Sequence, residues 1–135
     1  MTTIYIASPY THGNQAENVR KSLEEAENLR QAGFLPFCPL LSHFWHFMSP
    51  HPYDYWMKMD LEWLEKCDGL LRLPGESAGA DAEVEHALAH NIPVFFNMVD
   101  LVEWFGVHEW TSCKENDKDC PFCQKSLIDS SGWHK

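Results

Sequence analysis

Positive charge is what this sequence has least of. Ten Lys and Arg stand against twenty Asp and Glu, a formal net charge of −10 over 135 residues. Long nucleic acid is held by a basic surface that neutralises phosphates, so this balance argues against it as a partner. A small phosphorylated ligand stays admissible, because backbone N–H groups at a helix start bind an anion with little side-chain help. Long apolar runs are missing too, and nothing approaches the roughly 20 residues of a membrane helix. The opening MTTIYIASPY has no basic n-region, so no signal peptide is expected and the expected setting is soluble and cytoplasmic. There is no Gly-Lys-Ser/Thr of a Walker A loop, no GxGxxG, no internal repeat and no low-complexity segment. Five cysteines, an odd number without a secretion signal, make a poor disulfide framework. Cys38 and Cys67 stand in apolar contexts and read as small buried residues.

What is present is an ordinary globular composition, 44 % hydrophobic, in a length that suits one domain with one sizeable core. Residues 1–108 are expected to form that domain, with a polar Cys-containing tail over 109–135. Thr3 to Ala7 reads as a buried strand broken by Ser8-Pro9-Tyr10-Thr11-His12-Gly13-Asn14. Apolar residues at 16, 19, 23, 26 and 29 give helical spacing from Ala16 to Ala32, stopped by Gly33. Phe34 to Cys38 is a second strand, and Pro36 inside it predicts an edge position. A loop rich in His and aromatics is expected over Pro39 to Asp54, then a helix over Tyr55–Lys66. A strand over Gly69–Leu73, a helix over Ala82–His90, a strand over Ile92–Asn97 and a last helix over Val99–Phe105 complete the reading. Alternating strands and helices with continuous apolar strands predict an α/β three-layer sandwich. It is flavodoxin-like or Rossmann-like, with a parallel sheet of four to five strands. Ligands in such sheets bind beyond the carboxyl ends of the strands, where Ser8 and the loops after Cys38 and Leu73 would meet.

Two carboxylates frame the candidate chemistry. Glu83, near a helix start, is favoured in its ionised form by the helix dipole and suits a nucleophile or general base. The competing reading is a plain helix cap. Glu85, two positions on, is expected to face away. Asp60 lies among bulky apolar residues, and is either partly buried, with a raised pKa suited to proton donation, or on the solvent stripe. Asp68 opens its strand at the opposite edge and reads as a structural turn residue. The loop from Ser8 to Asn14 has the form of an anion cradle, and Arg20 either reaches that anion or is solvated. His43, His46 and His51 do not have helical zinc spacing. With Phe44, Trp45, Phe47 and Trp56 they suit a base or sugar pocket better. In the tail, Cys120-Pro121-Phe122-Cys123 resembles half of a zinc knuckle, and Cys113, Cys120 and Cys123 with His108 would complete a tetrahedral site. Structural zinc and free thiols are the two readings there.

These residues together resemble the nucleoside 2-deoxyribosyltransferase superfamily, most nearly its branch of nucleotide N-glycosidases, over roughly Thr3 to Asn97. Ile4-Tyr5-Ile6-Ala7-Ser8-Pro9-Tyr10 is similar to the family's first strand and its sugar- and phosphate-contacting turn. Met59-Asp60-Leu61 with Asp68 matches the helix Asp and strand Asp. Ser77-Ala78-Gly79-Ala80-Asp81-Ala82-Glu83 matches the SxGxxxE signature. The resemblance implies that Glu83 is the nucleophile on the anomeric carbon and that Asp60 handles the base or its proton. It implies that Tyr5 positions the nucleophile, and that Ser8, Pro9, Tyr10, Asn14, Arg20, His43, Ser77 and Gly79 hold the substrate. Ser77 stands where transferases on free nucleosides tend to carry Asp, which tilts the expected substrate to a (deoxy)nucleoside 5′-monophosphate. Asp81 and Glu76 add negative charge beside that phosphate, and the first loop lacks the family's Arg-Gly-Gly run. The implied reaction is hydrolysis of the N-glycosidic bond with no cofactor. Base exchange by a transferase, and a nucleotide-sensing module without turnover, are the alternatives. A homodimer or larger homo-oligomer is expected from the resemblance.

Overall fold

The computed structural model describes residues 1–106. The proposed zinc ligands His108, Cys113, Cys120 and Cys123 therefore lie outside the described residues. In chain order the elements are β1 (Thr3–Ala7), α1 (Gln15–Gln31), β2 (Leu35–Phe37), a 3₁₀ turn (Pro39–Leu41), α2 (Ser42–Met48) and α3 (Tyr53–Leu64). They continue with β3 (Gly69–Arg72), α4 (Ala78–Ala89), β4 (Val94–Phe95) and α5 (Met98–Phe105). The four strands form one all-parallel sheet in the order β2-β1-β3-β4. This is the α/β sandwich expected from the alternation of apolar strands and amphipathic helices.

Side-chain alternation along β1 builds both cores. Ile4 and Ile6 point to the face where Leu29 of α1 and Leu101 of α5 pack, together with Phe34, Leu71 and Phe95. Tyr5 and Ala7 point to the other face, against Leu64 of α3 and Ala80 and Ala87 of α4. The helices thus cover the sheet from both sides, two on each. β2 is an edge strand, in keeping with Pro36, whose missing N–H would break the ladder of a central strand. Gly33, at φ +98° just past α1, takes the left-handed conformation that ends the helix.

Several boundaries differ from the sequence reading; β2 and β4 are shorter, at Leu35–Phe37 and Val94–Phe95, and three differences bear on the site. The expected loop over residues 39–54 holds the 3₁₀ turn and α2, whose His43, His46 and Phe47 line a cavity. α3 begins at Tyr53, two residues early, with Pro52 as its N-cap residue. α4 begins at Ala78, four residues early. Ser77 is its N-cap, extended at φ −163°, and its Oγ accepts from the N–H of Ala80 at 3.1 Å. The first turn, Ala78-Gly79-Ala80, carries no apolar periodicity, so nothing in the pattern marks it as helix.

The chain passes from β1 to β2 on one side and returns to β3 on the other. The switch point lies between the carboxyl ends of β1 and β3, where the loops after Ala7 and after Arg72 diverge. Leu71, 1 % exposed on central β3, packs in the first core. Leu71→Ala is expected to cost about 2–5 kcal/mol, read as a lower urea midpoint at unchanged m-value; a midpoint within error of the parent contradicts this packing.

Candidate functional site

The switch point opens into a cavity of about 690 Å³, lined by the β1 loop, α2, α3 and the start of α4. That volume suits a ligand of nucleotide size. At its floor the Tyr5 hydroxyl donates to Oε2 of Glu83, a short contact between two buried side chains from β1 and α4. Asp60, half-buried on α3, lines the same cavity as Glu83.

Burial dominates the electrostatics. It pushes Glu83 up to about 8; the Tyr5 hydrogen bond and the Arg72 guanidinium oppose the rise, while the Asp60 charge adds to it. It pushes Asp60 up to about 7. Tyr5 is raised well above the ordinary phenol value by burial and by both carboxylates, so its hydroxyl remains a donor. The expectation that the helix dipole holds Glu83 ionised is thus corrected. Glu83 lies in the second turn of α4, counted from Ser77, and desolvation outweighs the dipole there. Both carboxyls are thus raised toward neutrality, Glu83 partly through the charge on Asp60.

The loop between β3 and α4 is held by one residue the sequence reading passed over. Arg72, buried at the end of β3, donates to the carbonyls of Leu73 and of Gly75 (2.8 Å), and to Asp81 Oδ1 at 3.1 Å. The charge of Asp81 is thereby paired rather than turned on the cavity. An arginine closing an otherwise apolar strand, GLLR, was the available signal.

The structure brings Glu83, Asp60, Ser8, Tyr10, His43, Ser77 and Gly79 to the cavity wall, with Tyr5 bonded to Glu83 beneath. Ser8 Oγ is buried without a hydrogen-bond partner among the described residues. The Tyr10 hydroxyl pairs with His43 Nδ1, and the His43 ring meets Phe47 edge-on at 4.6 Å. His46 Nδ1 accepts from Trp56 Nε1 at 2.8 Å, so this nitrogen serves the aromatic wall. Pro9, Asn14 and Arg20 are not brought to the wall. Pro9 packs on Gly75, Asn14 caps α1 by accepting from the N–H of Glu17, and exposed Arg20 pairs with Glu17 and Glu24. Asp68 accepts from the N–H of Thr3 at the opposite edge, and Glu85 is exposed on α4.

Tyr53 was also missed. It lines the cavity from α3, and its hydroxyl would lie 2.5 Å from a Cβ at Gly79, so only glycine admits this contact. Its place seven residues before Asp60, on the same helix face as Met57, was the readable signal.

Residues 2–97 match the family described as "Domain of unknown function (DUF7768)". No curated protein matches the chain. Among solved structures, it is similar to a 2-desoxiribosyltransferase from Leishmania mexicana, at 16 % identity and a TM-score of 0.51, covering 82 % of this chain and 80 % of that one. A 2-deoxyribosyltransferase from Bacillus psychrosaccharolyticus gives 20 % identity and a TM-score of 0.49, over 75 % and 79 % of the two chains. At such identities the likeness concerns the fold.

The raised carboxyls carry a stability signature. Between the ordinary carboxyl value near 4.3 and about 8, the folded chain keeps a proton on Glu83 that the unfolded chain releases. Stability is therefore full below that window, falls as pH rises through it, and is lost above it. Glu83→Gln is expected to reduce the fall in melting temperature between about pH 5 and 9 and to melt higher than the parent at pH 9. Parallel declines in the two proteins would contradict the burial of this carboxyl.

Proposed function

We propose that this chain, which belongs to the DUF7768 family, cleaves the N-glycosidic bond of a (deoxy)nucleoside 5′-monophosphate, releasing free base and sugar 5-phosphate. The observation that carries the proposal is the buried Tyr5–Glu83 pair facing the same nucleotide-sized cavity as Asp60. Tyr5 holds Oε2 and leaves Oε1 of Glu83 for attack on C1′. As the O–C1′ bond forms, the C1′–N bond breaks and its electron pair goes to the base, which takes a proton delivered by Asp60. Water then attacks C1′ with Asp60, now ionised, accepting its proton, and Glu83 is released. This is the double displacement of a retaining glycosidase.

The competent state holds one proton across the pair: Glu83 ionised, Asp60 protonated. Because Glu83 is raised further than Asp60, this is the less populated placement of that proton; the Tyr5 hydrogen bond increases its share, since it strengthens when the acceptor is charged. The buried, unpartnered Ser8 hydroxyl is suited to the sugar, and the wall of Tyr10, His43 and Phe47 to the base. Ser77 accepts from Ala80 with its lone pair, which leaves its hydroxyl proton to donate to a 5′-phosphate over the start of α4. Arg72 removes the objection that Asp81 would repel that phosphate. A homo-oligomer belongs to the same reading, supported by the exposed side chains of Phe44, Phe47 and Met48 near the cavity.

One observation favours a second reading. The cavity is lined by no Lys or Arg among the described residues, which suits an uncharged 5′-end and a transferase exchanging bases on a free deoxynucleoside.

Incubation with deoxynucleosides and their 5′-monophosphates, with and without an added acceptor base, separates the two readings by chromatography. Free base from a monophosphate alone is expected; a new nucleoside formed only with acceptor present selects the second reading. Glu83→Ala should lower either rate by at least ~10³-fold, and its retention of parental activity would remove Glu83 as nucleophile. kcat/KM should follow a bell with limbs near 7 and 8. Asp60→Asn is expected to lower the rate by about 10²–10⁴-fold, to erase the alkaline limb and to leave a single acid limb set by Glu83.

A further inference from the structure

A second cluster of chemical side chains lies outside the cavity. Among the described residues, Glu65, His86 and His90 place a carboxylate oxygen and two imidazole nitrogens within 4.8 Å of one another. Glu65 is the C-cap residue of α3, His86 is in the last turn of α4, and His90 is the C-cap residue of α4. His86 Nε2 lies 3.0 Å and His90 Nε2 3.2 Å from the same oxygen, Oε1 of Glu65. We propose that these three side chains form a binding site for a zinc-class divalent cation that ties α3 to α4.

Three features of the cluster support this. First, His90 Nδ1 lies 2.8 Å from the carbonyl oxygen of His86. A carbonyl only accepts, so Nδ1 carries a proton, and in the neutral ring Nε2 is a bare lone pair. That lone pair faces the carboxylate oxygen, two acceptors with nothing between them. A metal ion placed between them would accept from both. A ring N–H donated to a backbone carbonyl is also the arrangement that orients a metal-bound histidine. Second, the two nitrogen–oxygen separations are close to those of coordination. Ligand bonds of about 2.0–2.2 Å in a tetrahedron put donor atoms roughly 3.3–3.6 Å apart, a few tenths of an ångström from those observed. Third, Glu65 breaks a local rule. A carboxylate at a helix C-terminus meets the negative end of the dipole and is disfavoured unless a cation accompanies it.

The donor set, two imidazoles and one carboxylate, selects zinc, cobalt or nickel over magnesium or calcium, whose ligands are oxygen. The side chains are partly exposed, from 24 % to 44 %, so positions remain for water. The two helices joined are the two that carry Asp60 and Glu83. Glu65 follows Asp60 by about 7.5 Å of helix rise and His86 follows Glu83 by about 4.5 Å. An ion here would hold the helices that bear the two carboxyls at a fixed separation.

Calorimetric titration of the full chain with Co(II) tests the site, with thermal melting alongside. One equivalent bound without the intense near-ultraviolet absorption of cobalt–thiolate bonds is expected, together with a raised melting temperature. If the tail cysteines also take cobalt, they add a second equivalent that carries that absorption. His86→Ala and Glu65→Gln should each weaken the thiolate-free equivalent by at least ~10–100-fold and abolish its thermal shift, while metal-free melting confirms that both variants fold. No thiolate-free uptake, or uptake unchanged in both variants, overturns the proposal and leaves a hydrogen-bonded His–Glu–His cluster. Neither result depends on whether any base is released from a nucleotide.

Discussion

The hydrogen bond from Tyr5 to Glu83 is the contact on which the site depends. It joins the central strand β1 to α4 across the second core, where Tyr5 is fully buried and Glu83 nearly so. A carboxyl in such a place is costly when ionised unless a donor meets it. Tyr5 is that donor, and burial together with the nearby carboxylates keeps its own proton in place. One contact therefore fixes the position of Glu83, opposes the rise in its pKa and leaves one of its oxygens free toward the cavity.

The loop between β3 and α4 carries the second constraint. It must bring Ser77 and the start of α4 close to a ligand without offering that ligand a wall of negative charge. Small residues solve the first problem, and Gly79 admits the Tyr53 hydroxyl where any side chain would collide. Arg72 solves the second by holding two loop carbonyls and Asp81 together from beneath. Fold and site are coupled at this point, because the residue that ends β3 also sets the electrostatics of the α4 entrance.

Much of this was readable in the sequence. Strands such as TIYIA and GLLR are short, apolar and bounded by turn residues, so their place, parallel pairing and burial follow from pattern alone. The expected edge position of Pro36 and the outward face of Glu85 agree with the structure for the same reason. What pattern could not give was anything set by residues far apart. Whether Asp60 faced the core or the solvent depended on which side of α3 met α4, since its helical neighbours are bulky on both sides. The early start of α4 was hidden by a first turn without apolar spacing. The Arg72–Asp81 pair and the Glu65–His86–His90 cluster arise from loop geometry and helix packing, which leave no local signature. Arg20 shows the reverse error: a cation two turns into a helix after a possible anion loop is satisfied by Glu17 and Glu24 on its own helix.

The central claim is that Glu83 forms a covalent bond to the sugar. A 2-fluoro-2-deoxyarabinosyl nucleotide tests it directly, because fluorine slows release of the glycosyl–enzyme ester more than a natural substrate would. Mass spectrometry of the treated, digested protein should show one sugar phosphate added to the peptide containing Glu83, with an equal amount of free base in solution. Release of base with no adduct, or an adduct on a different side chain, would contradict it.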